Sequence, residues 1–157
     1  TRSVAVTGVQ TCALPIYVYD APIVQKANDS HRNLQGKCIA VIEDNPILVE
    51  AYRQTLSNRG AYVQVLSEDE HELNAQLESI DHIDCILSDF RLGQTTGNIM
   101  IQKLRDSYNE EIPAIIVTAD TSPSHINLFA QLNIQVLHKP VSFQDVTAAI
   151  EKTIGPH

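Results

Sequence analysis

From Lys37 onward, short apolar runs alternate with amphipathic stretches, and the alternation repeats five times. Cys38 to Ile42 reads as a strand, followed by a helix with Asn45 as cap, Pro46 at its first position, Leu48, Ala51, Tyr52 and Leu56 on one face, and Gly60 as stop. Ala61 to Leu66 is the second strand. Its helix is expected to open on a capping box of Ser67 and Glu70 and to turn Leu73, Leu77 and Ile80 inward. Cys85 to Ser88 is the third strand; after a loop with Gly93 and Gly97, a helix carries Met100, Ile101, Leu104 and Tyr108. Ala114 to Val117 is apolar throughout, as suits a strand covered on both faces. Ser122-Pro123 opens a helix with Ile126, Phe129 and Ala130. Ile134 to Leu137 is the fifth strand, and Ser142 with Asp145 caps a last helix bearing Val146, Ala149, Ile150 and Ile154.

Five βα units joined by short loops require parallel strands, right-handed crossovers and helices on both faces of one sheet, so the class is doubly wound α/β. In such sheets the functional residues stand just after the strands, at their carboxyl ends.

Residues 1–36 differ in character, with Gly8, Pro15, Pro22 and a polar stretch from Lys26 to Asn33 that lacks periodicity. Within them VTGVQTCALPI (Val6 to Ile16) resembles the conceptual translation of a sequencing-library adaptor, so residues 1–16 are set aside as an artefact. Tyr17 to Val24 could form one strand without a nearby partner, residues 17–36 read as a linker or the remnant of a preceding domain, and residues 17–33 are expected to pack little against the folded part of the chain. The folded domain is expected over residues 37–155.

The 157 residues include 43% hydrophobic and 19% charged side chains, enough apolar material for one core without staples. No apolar run approaches the roughly 18 to 20 residues of a membrane span. With 11 Lys and Arg against 19 Asp and Glu, the formal charge of −8 opposes direct binding to nucleic acid, so the partners are expected to be proteins. Cys12, Cys38 and Cys85 have neither zinc spacing nor a disulfide pattern, which points to a reducing, cytoplasmic setting. The six histidines read as surface residues.

The strand ends carry Glu43-Asp44, Asp89, Thr118 and Lys139-Pro140. A single Asp after a strand is most often a turn or cap residue, but these three carboxylates, one hydroxyl and one ammonium would converge on one point. Carboxylates about 4 Å apart repel by about 4 kcal/mol at an effective dielectric of 20, so the cluster asks for a cation. Hard oxygen ligands suit Mg²⁺, and the chemistry open to them is attack by a carboxylate on a phosphoryl group.

With VIEDNP (Val41 to Pro46), LSDFRLG (Leu87 to Gly93), IIVTAD (Ile115 to Asp120) and LHKPV (Leu137 to Val141), residues 37–154 resemble the receiver domain of two-component response regulators. The resemblance implies a flavodoxin-like sheet of order 2-1-3-4-5. It implies Asp89 as phosphoacceptor, and Glu43 and Asp44 as the acidic pair for Mg²⁺, with Asp44 a direct ligand. The Arg91 backbone carbonyl completes the protein ligands, Thr118 is the signalling hydroxyl, Lys139 is the phosphate-binding lysine, and the Lys139-Pro140 bond is cis.

It also implies a histidine kinase or histidine phosphotransfer protein as partner, and a weak dimer is compatible with it. The fragment is then not a kinase itself and catalyses only its own Asp phosphorylation and dephosphorylation. Val136 stands where many receivers carry an aromatic switch residue, so ring flipping cannot relay the signal here. With LHKPV and DFRLG, this most resembles the carboxy-terminal receiver of a hybrid sensor histidine kinase. The alternatives are a stand-alone single-domain regulator and a receiver-like module that binds without phosphorylation. A haloacid-dehalogenase-type phosphatase would need an Asp where Arg91 stands, and a flavin module would need a Ser/Thr-rich loop where Glu43-Asp44-Asn45-Pro46 stands. No DNA-binding segment follows Pro156, so a direct transcriptional role is not expected.

Overall fold

Residues 33–155 are described in the computed structural model; the adaptor-like string, Cys12 and the strand expected over Tyr17 to Val24 lie outside them. Five strands, β1 (Cys38–Ile42), β2 (Tyr62–Val65), β3 (Cys85–Asp89), β4 (Ala114–Thr118) and β5 (Ile134–His138), pair in parallel in the order β2-β1-β3-β4-β5. Helices α1 (Pro46–Ser57), α2 (Glu70–Leu77), α3 (Gly97–Tyr108), α4 (Pro123–Gln131) and α5 (Phe143–Ile154) connect or follow them.

The period-2 geometry of a strand sends alternate side chains to opposite faces, and the sheet uses both. Ile39, Val41, Cys85, Leu87, Ile115 and Val117 pack with Tyr52 and Leu56 of α1 and Val146 and Ile150 of α5. Ala40, Ile42, Ile86, Ala114 and Ile116 pack with Leu73 of α2, Met100, Ile101 and Leu104 of α3, and Phe129 of α4. Every residue of β4 is buried, as its unbroken apolar run requires.

Local rules place most helix starts. The Asn45 side chain accepts from the Ile47 and Leu48 N–H groups, and Ser142 and Asp145 form the expected capping box. The second helix departs from expectation. Ser67 Oγ accepts from the Asp69 N–H (3.1 Å) and makes a turn upstream, so the cap falls to Asp69, which accepts from the Glu72 N–H at 3.0 Å. Ile80 lies beyond the end of α2 yet is still buried in the same core. In α4, Ile126 and Ala130 are exposed, and Phe129 is its one fully buried side chain. Cys38 and Cys85 are free thiols, half-buried and buried, and burial pushes the Cys85 thiol up to about 12.

Arg105 of α3 is a buried cation, 6% exposed, in the second core layer. Its guanidinium donates to the carbonyls of Ile112 (3.0 Å), Leu132 (2.6 Å) and Asn133 (3.2 Å), so the charge is desolvated but fully occupied. These carbonyls lie just before β4 and β5, at the amino ends of the strands.

The packed domain begins before Lys37. Residues 33–36, expected as the end of a linker, form a turn in which the Leu34 N–H donates to the Arg59 carbonyl at 3.1 Å and the Leu34 side chain is 0% exposed against the α1–α5 side of the core. Leu34→Ala is therefore expected to cost about 2–5 kcal/mol of stability in urea denaturation of the whole chain, the range for a buried leucine rather than a linker residue.

Candidate functional site

The carboxyl ends of β1, β3, β4 and β5 bring the expected residues together. Asp89, Thr118 and His138 are the last residues of their strands, and Glu43-Asp44 and Lys139 follow theirs directly. One carboxylate oxygen from each of Glu43, Asp44 and Asp89 lies within 4.8 Å of the others. Glu43 is half-buried, Asp44 is exposed at the rim, and the Asp89 side chain is 12% exposed. Lys139 Nζ sits 3.0 Å from Asp89 Oδ1. Thr118 is 2% exposed, its Oγ1 accepts from the Asp120 N–H at 3.0 Å, and its carbonyl accepts from the Lys139 N–H at 2.8 Å. The Lys139-Pro140 peptide is cis. The Arg91 side chain pairs with Asp120 at 3.2 Å.

The electrostatics fit a divalent cation. Burial pushes the Glu43 carboxyl up to about 7, the neighbouring Asp44 and Asp89 add to the rise, and the Asn45 N–H, donating at 3.0 Å, opposes it. Glu43 is thus held half-protonated near neutrality unless a cation neutralises the group. Beside the carboxylates, a cleft of about 340 Å³ is lined by Glu43, Asp44, Ser67, Glu68, Gln76 and Leu92, among others.

The approach of α3 to the site is unusually close. The Gly97 N–H donates to the Phe90 carbonyl at 2.8 Å, and a Cβ at Gly97 would stand 2.4 Å from the Asp89 carbonyl oxygen and 2.7 Å from Ser88 Oγ. Only glycine fits there. The buried Ser88 hydroxyl donates to the same Asp89 carbonyl at 2.8 Å, so the backbone carrying Asp89 is held from two sides.

The family model for the response regulator receiver domain matches residues 39–151. The chain belongs to the response regulator receiver family. Solved structures share the receiver fold: a receiver domain protein from Clostridium thermocellum is 23% identical with a TM-score of 0.65, the match covering 75% of this chain and 94% of that one. A receiver protein from Pseudomonas putida is 23% identical with a TM-score of 0.64, covering 74% and 96%. Chemotaxis protein CheY4 of Vibrio cholerae is 20% identical with a TM-score of 0.64, covering 74% and 98%. No curated protein matches the chain. Receiver domains generally hold Mg²⁺ in an acidic pocket, and the carboxylate cluster of this receiver is the candidate.

The receiver sequence points to every strand-end residue but not to their supports. Gly97 reads there as a loop residue, Ser88 as an ordinary strand position, and Asp120 and Glu68 carry no role. One Glu68 carboxylate oxygen is buried with no hydrogen-bond partner among the described residues. No helix among the described residues is long and apolar enough to cross a membrane.

The raised Glu43 group sets a pH dependence. The folded receiver keeps this proton up to about pH 7, whereas the unfolded carboxyl loses it near 4.5, so the folded state binds the extra proton between those values. The metal-free domain is expected to lose stability as pH rises through that window, and Glu43→Gln to flatten the slope, in thermal melts run in EDTA.

Proposed function

We propose that this receiver is a phosphoacceptor, with Asp89 taking a phosphoryl group from the phosphohistidine of a histidine kinase or histidine phosphotransfer protein. The observation that carries the reading is the convergence of Glu43, Asp44 and Asp89 within 4.8 Å, with Lys139 3.0 Å from Asp89. Glu43, Asp44, Asp89 and the Arg91 backbone carbonyl would hold Mg²⁺, with Asp44 a direct ligand. Bound there, the ion would neutralise charge on the carboxylates and on the incoming phosphoryl oxygens.

In the transfer, an Asp89 carboxylate oxygen attacks phosphorus as the bond from phosphorus to the histidine nitrogen breaks, and the imidazole departs as the leaving group. Lys139 supplies positive charge beside Asp89, and the Thr118 hydroxyl supplies a donor for a phosphoryl oxygen. The chemistry of this receiver is confined to gaining and losing this one group.

LHKPV with DFRLG, and the aliphatic Val136 that packs half-buried against the core, favour a setting as the receiver of a hybrid sensor histidine kinase in the cytoplasm. A stand-alone regulator would share the same site. The complete acidic set with Thr118 and Lys139 weighs against a module that works without phosphorylation.

Asp89 is expected to take up phosphate from acetyl phosphate only when Mg²⁺ is present. Intact-mass measurement should show one added phosphoryl group, lost in Asp89→Asn and in EDTA; equal labelling of the variant would remove Asp89 from its role. Lys139→Ala is expected to hold Mg²⁺ as well as wild type or slightly better, because a repelling neighbour is gone, while its affinity for beryllofluoride falls. Titrating both ligands against both proteins separates this from a structural lysine, for which the two losses would run in parallel.

A further inference from the structure

The loop between β2 and α2 carries a carboxylate whose contacts do not account for its position. Glu68 lines the cleft of about 340 Å³ together with Glu43 and Asp44. Its Oε2 is buried and has no hydrogen-bond partner among the described residues. The neighbouring polar side chains of the cleft are already engaged: Ser67 Oγ accepts from the Asp69 N–H at 3.1 Å, Gln76 Oε1 accepts from the Ser67 N–H at 2.9 Å, and Gln76 Nε2 donates to the Val65 carbonyl at 3.2 Å. These bonds pin the backbone on either side of Glu68. A Cβ at Gly93 would stand 2.7 Å from Glu68 Oε1, so the carboxylate is seated against the loop that follows Asp89.

A carboxylate oxygen shut off from water and left unpaired is costly, and more so in one cleft with two other carboxylates. The buried Leu66 and Leu92 line the same cleft and lower the local dielectric, which deepens the cost. Direct ligation of a cation is not what offsets it. The oxygens that gather within 4.8 Å of one another come from Glu43, Asp44 and Asp89, and among the described residues Glu68 is not in that group. Mg²⁺, however, gives up its waters reluctantly and keeps several of them when it binds carboxylates, and those waters need acceptors. Glu68 Oε2 is a negatively charged, unengaged acceptor in the same cleft and outside the direct ligand set, which is what such a water requires.

We propose that Glu68 is a positioning residue of the acidic site, accepting a hydrogen bond from a water carried by the divalent ion. It adds a fourth negative charge that tightens metal binding while taking no coordination position from the phosphoryl group. The inference rests on the phosphoacceptor reading and deepens it. Its signature is a pair of effects of opposite sign. Without a cation the Glu68 charge repels Glu43 and Asp44 and weakens the fold; with one it is compensated, and the difference appears as affinity for the ion.

The test uses the full 157-residue chain and Mg²⁺ alone as the probe. Calorimetric titration should show Glu68→Gln binding Mg²⁺ about tenfold more weakly than wild type. Glu68→Asp, which keeps the charge in the cleft, should stay within about threefold. Glu70→Gln removes the same charge from a 74% exposed side chain two residues on and should stay within about twofold. In EDTA, Glu68→Gln should melt about 2–4 °C above wild type. An affinity of Glu68→Gln within about twofold of wild type, or a metal-free melting temperature that falls together with the affinity, would overturn the role of Glu68 and leave the phosphoacceptor reading standing. Equal weakening by Glu70→Gln would reduce the effect to net charge and overturn that role as well. Failure of wild type to bind Mg²⁺ would overturn both.

Discussion

Mutual repulsion among Glu43, Asp44 and Asp89 is the constraint around which the rest of the domain is organised. Carboxylates this close raise the free energy of any state in which all are ionised and uncompensated, and the protein meets the cost in two ways: Lys139 lies against Asp89, and Glu43 keeps its proton up to about pH 7. Such an arrangement survives only on a framework stiff enough to prevent the groups from swinging apart into water. Parallel strands buried on both faces, with hydrogen bonds on both sides of β1 and β3, provide that framework. Charge is concentrated where the sheet ends, and the apolar core behind it leaves no room for relaxation.

The fit between α3 and β3 extends the same logic to the backbone. Gly97 lets a helix start almost touch the Asp89 carbonyl, and Ser88 braces that carbonyl from within. The phosphoacceptor side chain therefore departs from a fixed point, and what can adjust is the ring of loops around it. The aromatic contacts of Phe90 carry that fixed point to α4.

How far the sequence reveals this depends on whether a feature is local. The apolar runs of β1 and β4, the Asn45 cap and the Ser142 capping box each rest on residues within a few positions of one another, and they read directly. The site residues read because each stands at a strand end, where topology alone makes them converge. Ser67 misleads because its hydroxyl serves a turn instead of the helix, a choice set by the neighbouring Asp69 and by Gln76 Oε1, which accepts from the Ser67 N–H. The buried face of α4 is hard to read because the helix rests on one buried ring, too narrow a face for periodicity to locate. Leu34 is hidden by polar neighbours, although it joins the core cluster that holds Ile39, Leu56 and Ile150. Asp120 is invisible as a hub, since Arg91 reaches it from a loop 29 residues away.

Arg105 gives the domain a direction. Its guanidinium grips the carbonyls before β4 and β5, among them that of Leu132, the cap residue that closes α4. One end of α4 is thus fastened by a buried cation with no slack, while the other end hangs on a solvent-touched carboxylate. α4 is thus held at its heel by a buried charge and at its tip by a partly exposed one, and Ile126 lies exposed between the two.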